Sequence, residues 1–566
     1  MKKLVTLLLI GGSCTAFGQD VILQGQTRRE IEKAQRIAAR PVFDDTVVQQ
    51  KVVDYPLLVT QYKTQTEVDR IEPASIKIKE QLDQLYTTYV KLGFGTQLMP
   101  LGEVYFNNRR SRKFIYGANV KHLSAWSNIP KYERNTFDRT SVNLYGGINE
   151  KRYQLFGDMH YRNQGLHYYA IQAPKDSLGK ANTRQRYNDF GFQLNYNGKA
   201  KIDTLGLDYR VGGQYNYFNT LKMPVDSVTK WNASENFFAL NGGVDYRLKG
   251  NVISVELGVK HNGYKYGNDS ISPIDTAITR SNTIINLYPS YNLFLLNNRF
   301  KASMGVDLTV DVDKKTKFYA YPMIEVSYSL FNNMFIPYVG VRGNLKQNTL
   351  RSLTLENEFL RPNLAMSNEN TVIDVYGGFK GSFSKSVTFN IGGGYAMVKN
   401  LALFVNDTTY SPGNRFNVVY DNSKIFTLEG SISYQLLEKW KVDVIARYRS
   451  YEMKTFAKAW NKPNFELITR GSYNLFDKVY FNLDFKLELG RKALVYAPGD
   501  KVKEENLQYF KALDPIYDIN LGVEYRYTKR MSVFVQFNNI AAQRYQRWMK
   551  APVHSFQFLG GLTFRF

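Results

Sequence analysis

Five histidines, at positions 122, 160, 167, 261 and 554, are the natural residues to test for chemistry, and they are scattered along the chain. His160 and His167 lie an odd number of residues apart, so on a regular strand they face opposite sides and cannot share a metal. Asp307, Asp311 and Asp313 do share a parity, and carboxylates at a loop end can bind calcium. Lys314 and Lys315 follow directly, however, and no glycine-centred twelve-residue loop surrounds the three acids. His122 and Ser124 fall on one face of a strand, where a base could activate a hydroxyl, but no third group converges on them. We expect no catalytic residue, no metal site and no cofactor. What remains are polar and charged residues alternating with apolar ones: Asp443, Arg447 and Arg449; Asn482, Asp484, Lys486 and Glu488; Glu524 and Arg526. Such groups can attract or hydrogen-bond a polar solute, or pair with one another to keep a surface wet.

These residues need an element with two unlike faces. From 481 to 489, Phe481, Leu483, Phe485, Leu487 and Leu489 share one face, with Asn482, Asp484, Lys486 and Glu488 on the other. A period of two is a β-strand. Val442, Val444, Ala446 and Tyr448 repeat the pattern against Lys441, Asp443, Arg447 and Arg449, and Leu521, Val523, Tyr525 and Tyr527 against Gly522, Glu524 and Arg526. Charges of both signs on the second face predict a wet interior rather than a packed core. Twenty-two such segments are expected, centred near residues 92, 104, 119, 143, 158, 193, 214, 242, 257, 288, 306, 324, 340, 377, 393, 430, 445, 470, 484, 522, 536 and 560.

The connections sort by length. Those after even segments are tight and rich in Asn, Gly and Lys, as at Lys249-Gly250, Asn297-Asn298, Asn332-Asn333 and Asp477-Lys478. Those after odd segments are mostly long, as at 170–187, 344–370 and 490–515. Short turns at one end and long loops at the other describe an antiparallel transmembrane β-barrel of about 22 strands, with both ends of the sheet in the periplasm. Tyr86, Tyr89, Tyr105, Phe106, Trp126, Trp440, Tyr525 and Tyr527 are expected at its interfacial girdles.

Residues 1–18 read as a secretory signal peptide, with Lys2 and Lys3, an apolar stretch from Leu4 to Ile10, and Ala16-Phe17-Gly18 as the cleavage site. Cys14, the only cysteine, lies within it. Removing this segment takes the formal net charge from +24 to +22. The basic residues are spread over strands, turns and loops with no basic arm, which argues against nucleic acid as a partner. Residues 19–85 form a periplasmic or lumenal segment with a helix expected at 27–40, and 86–566 form the barrel.

The last strand carries Phe556, Phe558, Gly560, Leu562, Phe564 and Phe566 on one face and Gln557, Leu559, Gly561, Thr563 and Arg565 on the other. It resembles the C-terminal signal of Gram-negative outer-membrane barrels. That resemblance implies that Leu562, Phe564 and Phe566 are read by the barrel-assembly machinery and that the chain resides in the cell outer membrane. The count of 22 resembles the barrel of TonB-dependent receptors, and Ser532 to Tyr545 (SVFVQFNNIAAQRY) is similar to their penultimate strand. Those receptors carry a plug of well over a hundred residues before the barrel, whereas 67 residues separate Gln19 from the end of Leu85, inclusive. Asp45-Thr46-Val47-Val48 lacks the context of a TonB box. The start of the barrel, from Leu85 to Glu103, looks similar to plug-less, porin-like relatives of those receptors.

A 22-strand lumen left open would breach the membrane, and barrels of that size are plugged. Residues 19–85, inward-folded long loops or a partner protein must fill it. We expect the basic helix at 27–40 to meet wall acids such as Asp484 and Glu524, with long loops over the outer mouth. Two functions fit: a transport channel or receptor for polar solutes, or a non-enzymatic barrel subunit of an outer-membrane assembly or secretion complex. Outer-membrane lipid and the assembly machinery are partners in either case; a periplasmic or outer-membrane protein is a partner in the second.

Overall fold

The computed structural model describes residues 85–172, 175, 177–199, 206–221, 223–224, 230–268, 278–408, 411–495 and 509–566. The expected signal peptide at 1–18, the expected helix at 27–40 and the stretch 45–48 lie outside the described residues.

The alternating segments form one antiparallel sheet that closes on itself. Thr88–Gly95 pairs with Met99–Asn107 on one side and with Gln557–Arg565 on the other. The sheet has 23 strands, of which Met223–Pro224 is a two-residue flap on Lys230–Leu248, so 22 strands make the wall. Every segment centre expected from the alternation falls inside one of them. Closure leaves no edge, which is why a chain of this kind can end on Phe566: the Phe566 N–H donates to the Thr88 carbonyl and the Thr87 and Thr88 N–H groups donate back to the Phe566 carbonyl.

The tight turns stand where they were expected, and their chemistry explains them. Asn297, Asn298, Asn332 and Asn333 have φ between 53° and 66°, and Gly250 has φ 88°. These left-handed conformations are the ones asparagine and glycine tolerate and two-strand turns require. This end of the barrel also carries Leu85 and Phe566 and is the periplasmic end. A tilted strand crosses a bilayer in about 9–11 residues. Lys230–Leu248 has 19, Val387–Asn406 has 20 and Phe416–Leu436 has 21. Tight turns hold their lower ends, so the excess stands beyond the membrane on the outer side.

Register separates the two faces. Val90, Val104, Val120, Val142, Tyr161 and Phe190 are successive cross-strand partners in one row. Lys91, Glu103, Lys121, Ser141, Arg162 and Asp189 form the neighbouring row on the opposite face. Among the described residues nothing packs over the apolar row, and Val104, Val120, Tyr161 and Phe190 are exposed. An apolar outward face on a closed barrel is the face that meets lipid, so the strands cross the membrane. Among the described residues no helix is long and apolar enough to cross one.

The girdle expectation needs one correction. Tyr89 and Tyr105 are register partners on the inward face. The Tyr105 hydroxyl donates to Glu103 at 2.8 Å, and the Arg565 guanidinium lies over the Tyr89 ring. Their parity is that of Lys91 and Glu103, so aromatic identity at a strand end does not fix the side. Trp440 does face outward, stacked on Tyr473 with ring centroids 4.1 Å apart.

The apolar core does not run along the barrel axis. It gathers Tyr168, Tyr187, Phe218, Tyr264, Leu350, Leu353, Phe359, Leu360, Phe404, Phe416 and Trp548, which come from outer strand ends and long loops. The outer mouth is therefore packed like a protein interior.

Candidate functional site

The connection between Ile336–Lys346 and Glu369–Ser384 does not stay outside. It contains helix α1 (Leu350–Glu356), whose start is set locally. Thr349 is extended, its side chain accepts from the Ser352 N–H at 3.0 Å, and Ser352 Oγ accepts from the Thr349 N–H at 2.9 Å. This reciprocal cap fixes the helix, and Leu350 and Leu353 then share its buried side.

Inward-facing wall residues hold the loop. The Glu235 carboxylate accepts from the Leu350 and Arg351 N–H groups, where a helix start favours negative charge. Arg351 Nε donates to Asp189 at 2.7 Å. Three tyrosine hydroxyls donate to loop carbonyls: Tyr187 to Glu358 at 2.9 Å, Tyr168 to Leu360 at 2.6 Å and Tyr264 to Pro362 at 2.6 Å. Gln347 donates to Asn282 at 2.7 Å, and Asn368 to Asp311 at 3.1 Å. On the far wall, Arg139 pairs with Glu358 at 2.8 Å, and Gln164 donates to the same carboxylate. Arg139 sits on Phe137–Asn149, the fourth wall strand, whereas the loop leaves from the thirteenth. A loop that reaches nine strands round a ring of 22 crosses the lumen.

A second loop enters the same core. Between Met531–Asn538 and Gln557–Arg565 the chain carries Trp548, whose ring packs on Phe404 and Phe416 at 5.2 and 5.9 Å. The Tyr169 hydroxyl donates to the Pro552 carbonyl at 2.8 Å. Arg491, from a third loop, is buried and donates to the carbonyls of Gln546, Arg547 and Asp514 at 2.7–3.0 Å; burial lowers its pKa, against the pull of Glu488. Lys462 lies 2.6 Å from Glu356. Burial acts to lower the Lys462 pKa, and Glu356, with Tyr451 and Glu369, more than offsets it, leaving the value raised. His554 accepts from Asn135 at 3.2 Å, and burial, helped by Arg544, puts its pKa below the ordinary 6.5. Between the two loops a cleft of about 450 Å³ is lined by Arg139, Gln164, Glu356, Glu358, Tyr545, Arg547 and Trp548.

The residues singled out in the sequence lie on the same face as Asp189 and Glu235 and most are paired; Glu488, at the outer end of its strand, is buried beside Arg491. Arg447 pairs with Glu429 and, at 3.4 Å, with Glu466; Arg449 reaches Glu466 at 3.3 Å. Asp443 lies 3.8 Å from Lys441, and Asp484 lies 3.8 Å from Arg470. Lys486 and Arg491 flank Glu488. Glu524 faces Arg565 at 3.6 Å, and Arg526 lies over the Tyr480 ring. Asn482 is a register partner of Ser472 and Gly522 on this face.

The three aspartates do not converge. Asp311 accepts from Asn282 at 2.7 Å, Asp313 pairs with Arg280 at 2.6 Å, and Asp307 accepts from Thr309 at 2.9 Å. Among the described residues no group of three metal-ligating side chains is present. His122 bonds Thr140 at 2.8 Å on the outward face, and His160 lies 3.6 Å from Asp189 on the inward one. Sequence reasoning missed Arg139, Asp189, Glu235 and Glu358. The available signal was the loop itself, where Thr349 precedes Leu350 and Leu353 at helical spacing.

No family model and no curated protein matches the chain. Solved structures do match its fold. The siderophore receptor PirA from Acinetobacter baumannii superposes with a TM-score of 0.65 at 11% identity, over 86% of this chain and 81% of that one. The pyoverdine outer membrane receptor FpvA from Pseudomonas aeruginosa PAO1 gives 0.63 at 12%, over 86% and 79%. The copper transporter OprC gives 0.59 at 12%, over 85% and 80%. At such identities the likeness is one of fold. The chain is a closed 22-strand outer-membrane β-barrel with the architecture of TonB-dependent receptor barrels.

Proposed function

We propose that the protein is an outer-membrane transport receptor or channel for polar solutes, closed at its outer mouth by its own loops. The observation that carries this reading is the 347–368 loop, tied across the lumen from the thirteenth wall strand to Arg139 on the fourth. A wide barrel without a barrier would leak, and here the chain supplies one. The cleft beside the loop, with Arg139, Arg547, Glu356 and Glu358 among aromatic rings, has the convergent polar groups of a solute site. The paired charges below it keep the wall hydrated. In this reading the chain is not an enzyme, and the nine wall residues from Asp443 to Arg526 set the polarity of the path.

The same anchoring supports a second reading, a shut barrel that serves as a subunit of an outer-membrane assembly. Planar-bilayer conductance separates the two. Replacing residues 348–366 by a short Gly-Ser turn should raise single-channel conductance several-fold over the full chain. Truncating residues 19–80 should raise it less. Equal, near-zero conductance for all three proteins, together with a stoichiometric co-purifying partner, would establish the subunit reading.

A further inference from the structure

Four periplasmic turns share an unexpected opening. Leu296-Asn297-Asn298-Arg299 follows Ile278–Leu295, and Phe331-Asn332-Asn333-Met334 lies between Thr316–Tyr328 and Ile336–Lys346. Leu437-Glu438-Lys439 follows Phe416–Leu436, and Phe476-Asp477-Lys478 follows Phe465–Leu475. In each, the first residue is Leu or Phe with φ of 50–52°. Bulky L-residues rarely take this left-handed conformation, which glycine or asparagine would accept freely. Nor is the strain offset by packing, since Leu296, Phe331, Leu437 and Phe476 are 64%, 73%, 75% and 81% exposed. A strained apolar side chain left open once is an accident of sequence. Four in one chain, at equivalent positions, point to something outside the protein.

The flanking residues say what that is. The residues that close the strands over these turns pair as Leu295 with Phe300, Leu330 with Phe335, Leu436 with Trp440 and Leu475 with Val479. All are apolar, so the lipid-facing belt runs into the turns without a polar break. Lipid therefore reaches the level of the tips. Arg299, Lys439 and Lys478 stand exposed beside them, at the level where headgroup phosphates begin. On the other half of the same periplasmic rim, Arg109, Arg110, Arg112 and Lys113 occupy one turn and Lys151 and Arg152 the next.

We propose that Leu296, Phe331, Leu437 and Phe476 are membrane anchors, inserted into the phospholipid leaflet on the periplasmic side, with Arg299, Lys439 and Lys478 bound to its phosphates. Continuity with the apolar belt selects lipid over a protein partner. The anchors fix the depth of one half of the barrel at the periplasmic interface, and the cationic turns hold the other half at the headgroups.

The chain has a single cysteine, so Cys14→Ser frees it for site-specific labelling. Phe331→Cys, Leu437→Cys and Phe476→Cys in that background are labelled with an environment-sensitive fluorophore in vesicles of phosphatidylethanolamine and phosphatidylglycerol. Leu483→Cys on the outward face and Leu355→Cys in the outer loop serve as lipid and water references. Heat-modifiable migration checks that each variant is folded. Nitroxide lipid labelled near the glycerol should quench the three tips at least half as strongly as Leu483→Cys, and iodide should quench them several-fold less than Leu355→Cys. Tips quenched by iodide as fully as Leu355→Cys and untouched by nitroxide lipid overturn the proposal. So does an apolar emission shift that appears only when periplasmic extract is added, which would assign the tips to a protein partner.

Discussion

Two levels of one wall behave differently. At the outer mouth the inward residues Asp189, Glu235, Asn282 and Asp311 are buried, and each bonds a loop residue or holds a partner that does. Lower on the same face, charges stay partly open and pair across strands, as Arg210 does with Asp245 at 2.8 Å and Glu256 at 2.6 Å. The inward face carries polar and charged residues at both levels. The loops make the difference, because long strands raise the outer wall beyond the bilayer and long connections fold back into it. Alternation dictates which way a side chain points; what it meets there is decided by chain far away in sequence.

The comparison breaks most sharply at a buried loop residue. Leu360 is almost fully buried among the aromatic rings of the outer core. Leu360→Asp places an unpaired charge there and should cost about 3–5 kcal/mol. That penalty falls on the loop, not on the sheet. A barrel that still migrates as heat-modifiable but whose 347–368 loop is now cut by added protease is the expected result.

The lower wall gives a contrast of faces. Leu483→Arg puts a cation on the lipid side and should cost about 2–4 kcal/mol, whereas Asp484→Arg, beside an open Arg470, should stay within about 1 kcal/mol. Urea titrations that place the two variants together would show the faces to be misassigned. Between these extremes lies Glu235→Ala, which leaves the Leu350 and Arg351 N–H groups without their acceptor at a cost of about 1–3 kcal/mol. It should loosen the loop measurably by hydrogen exchange while leaving the lower strands protected.

The smallest effect is a pH dependence confined to the outer mouth. The folded His554 pKa lies below 6.5, so the opened loop binds a proton before the closed one does. Loop stability is then flat above pH 6.5 and falls as pH drops from 6.5 through the folded value. Trp548 fluorescence should report loosening between pH 7 and pH 5, and His554→Gln should abolish that change.

Most of the fold was legible because a barrel wall is written locally. Phe481 to Leu489 announces a strand and its two faces in nine residues, and Asn297-Asn298 announces the turn between two others. The lumen contacts were not legible in this way. Arg139 and Glu358 are 219 residues apart, and they meet only because the sheet has closed. Residue type alone sends Tyr89 and Tyr105 to a girdle, whereas parity with Lys91 and Glu103 places them inside. Asp443 and Asp484 drew notice because their strands alternate cleanly. Asp189 and Glu235, which hold the loop, sit in long strands whose outer ends are polar on both faces, so alternation there carries little contrast.

A loop laid across the lumen to close the mouth must stand beside the far wall, and cross-linking reads that proximity. In the Cys14→Ser background, Arg139→Cys and Glu358→Cys replace an ion pair that joins the loop to the far wall at 2.8 Å. A short bismaleimide applied to outer-membrane fractions should link the two positions in most molecules, visible as a shifted band on denaturing gels, and should link neither single variant. Two cysteines that both react with a bulky external maleimide, yet never with each other, would mean that the loop does not cross.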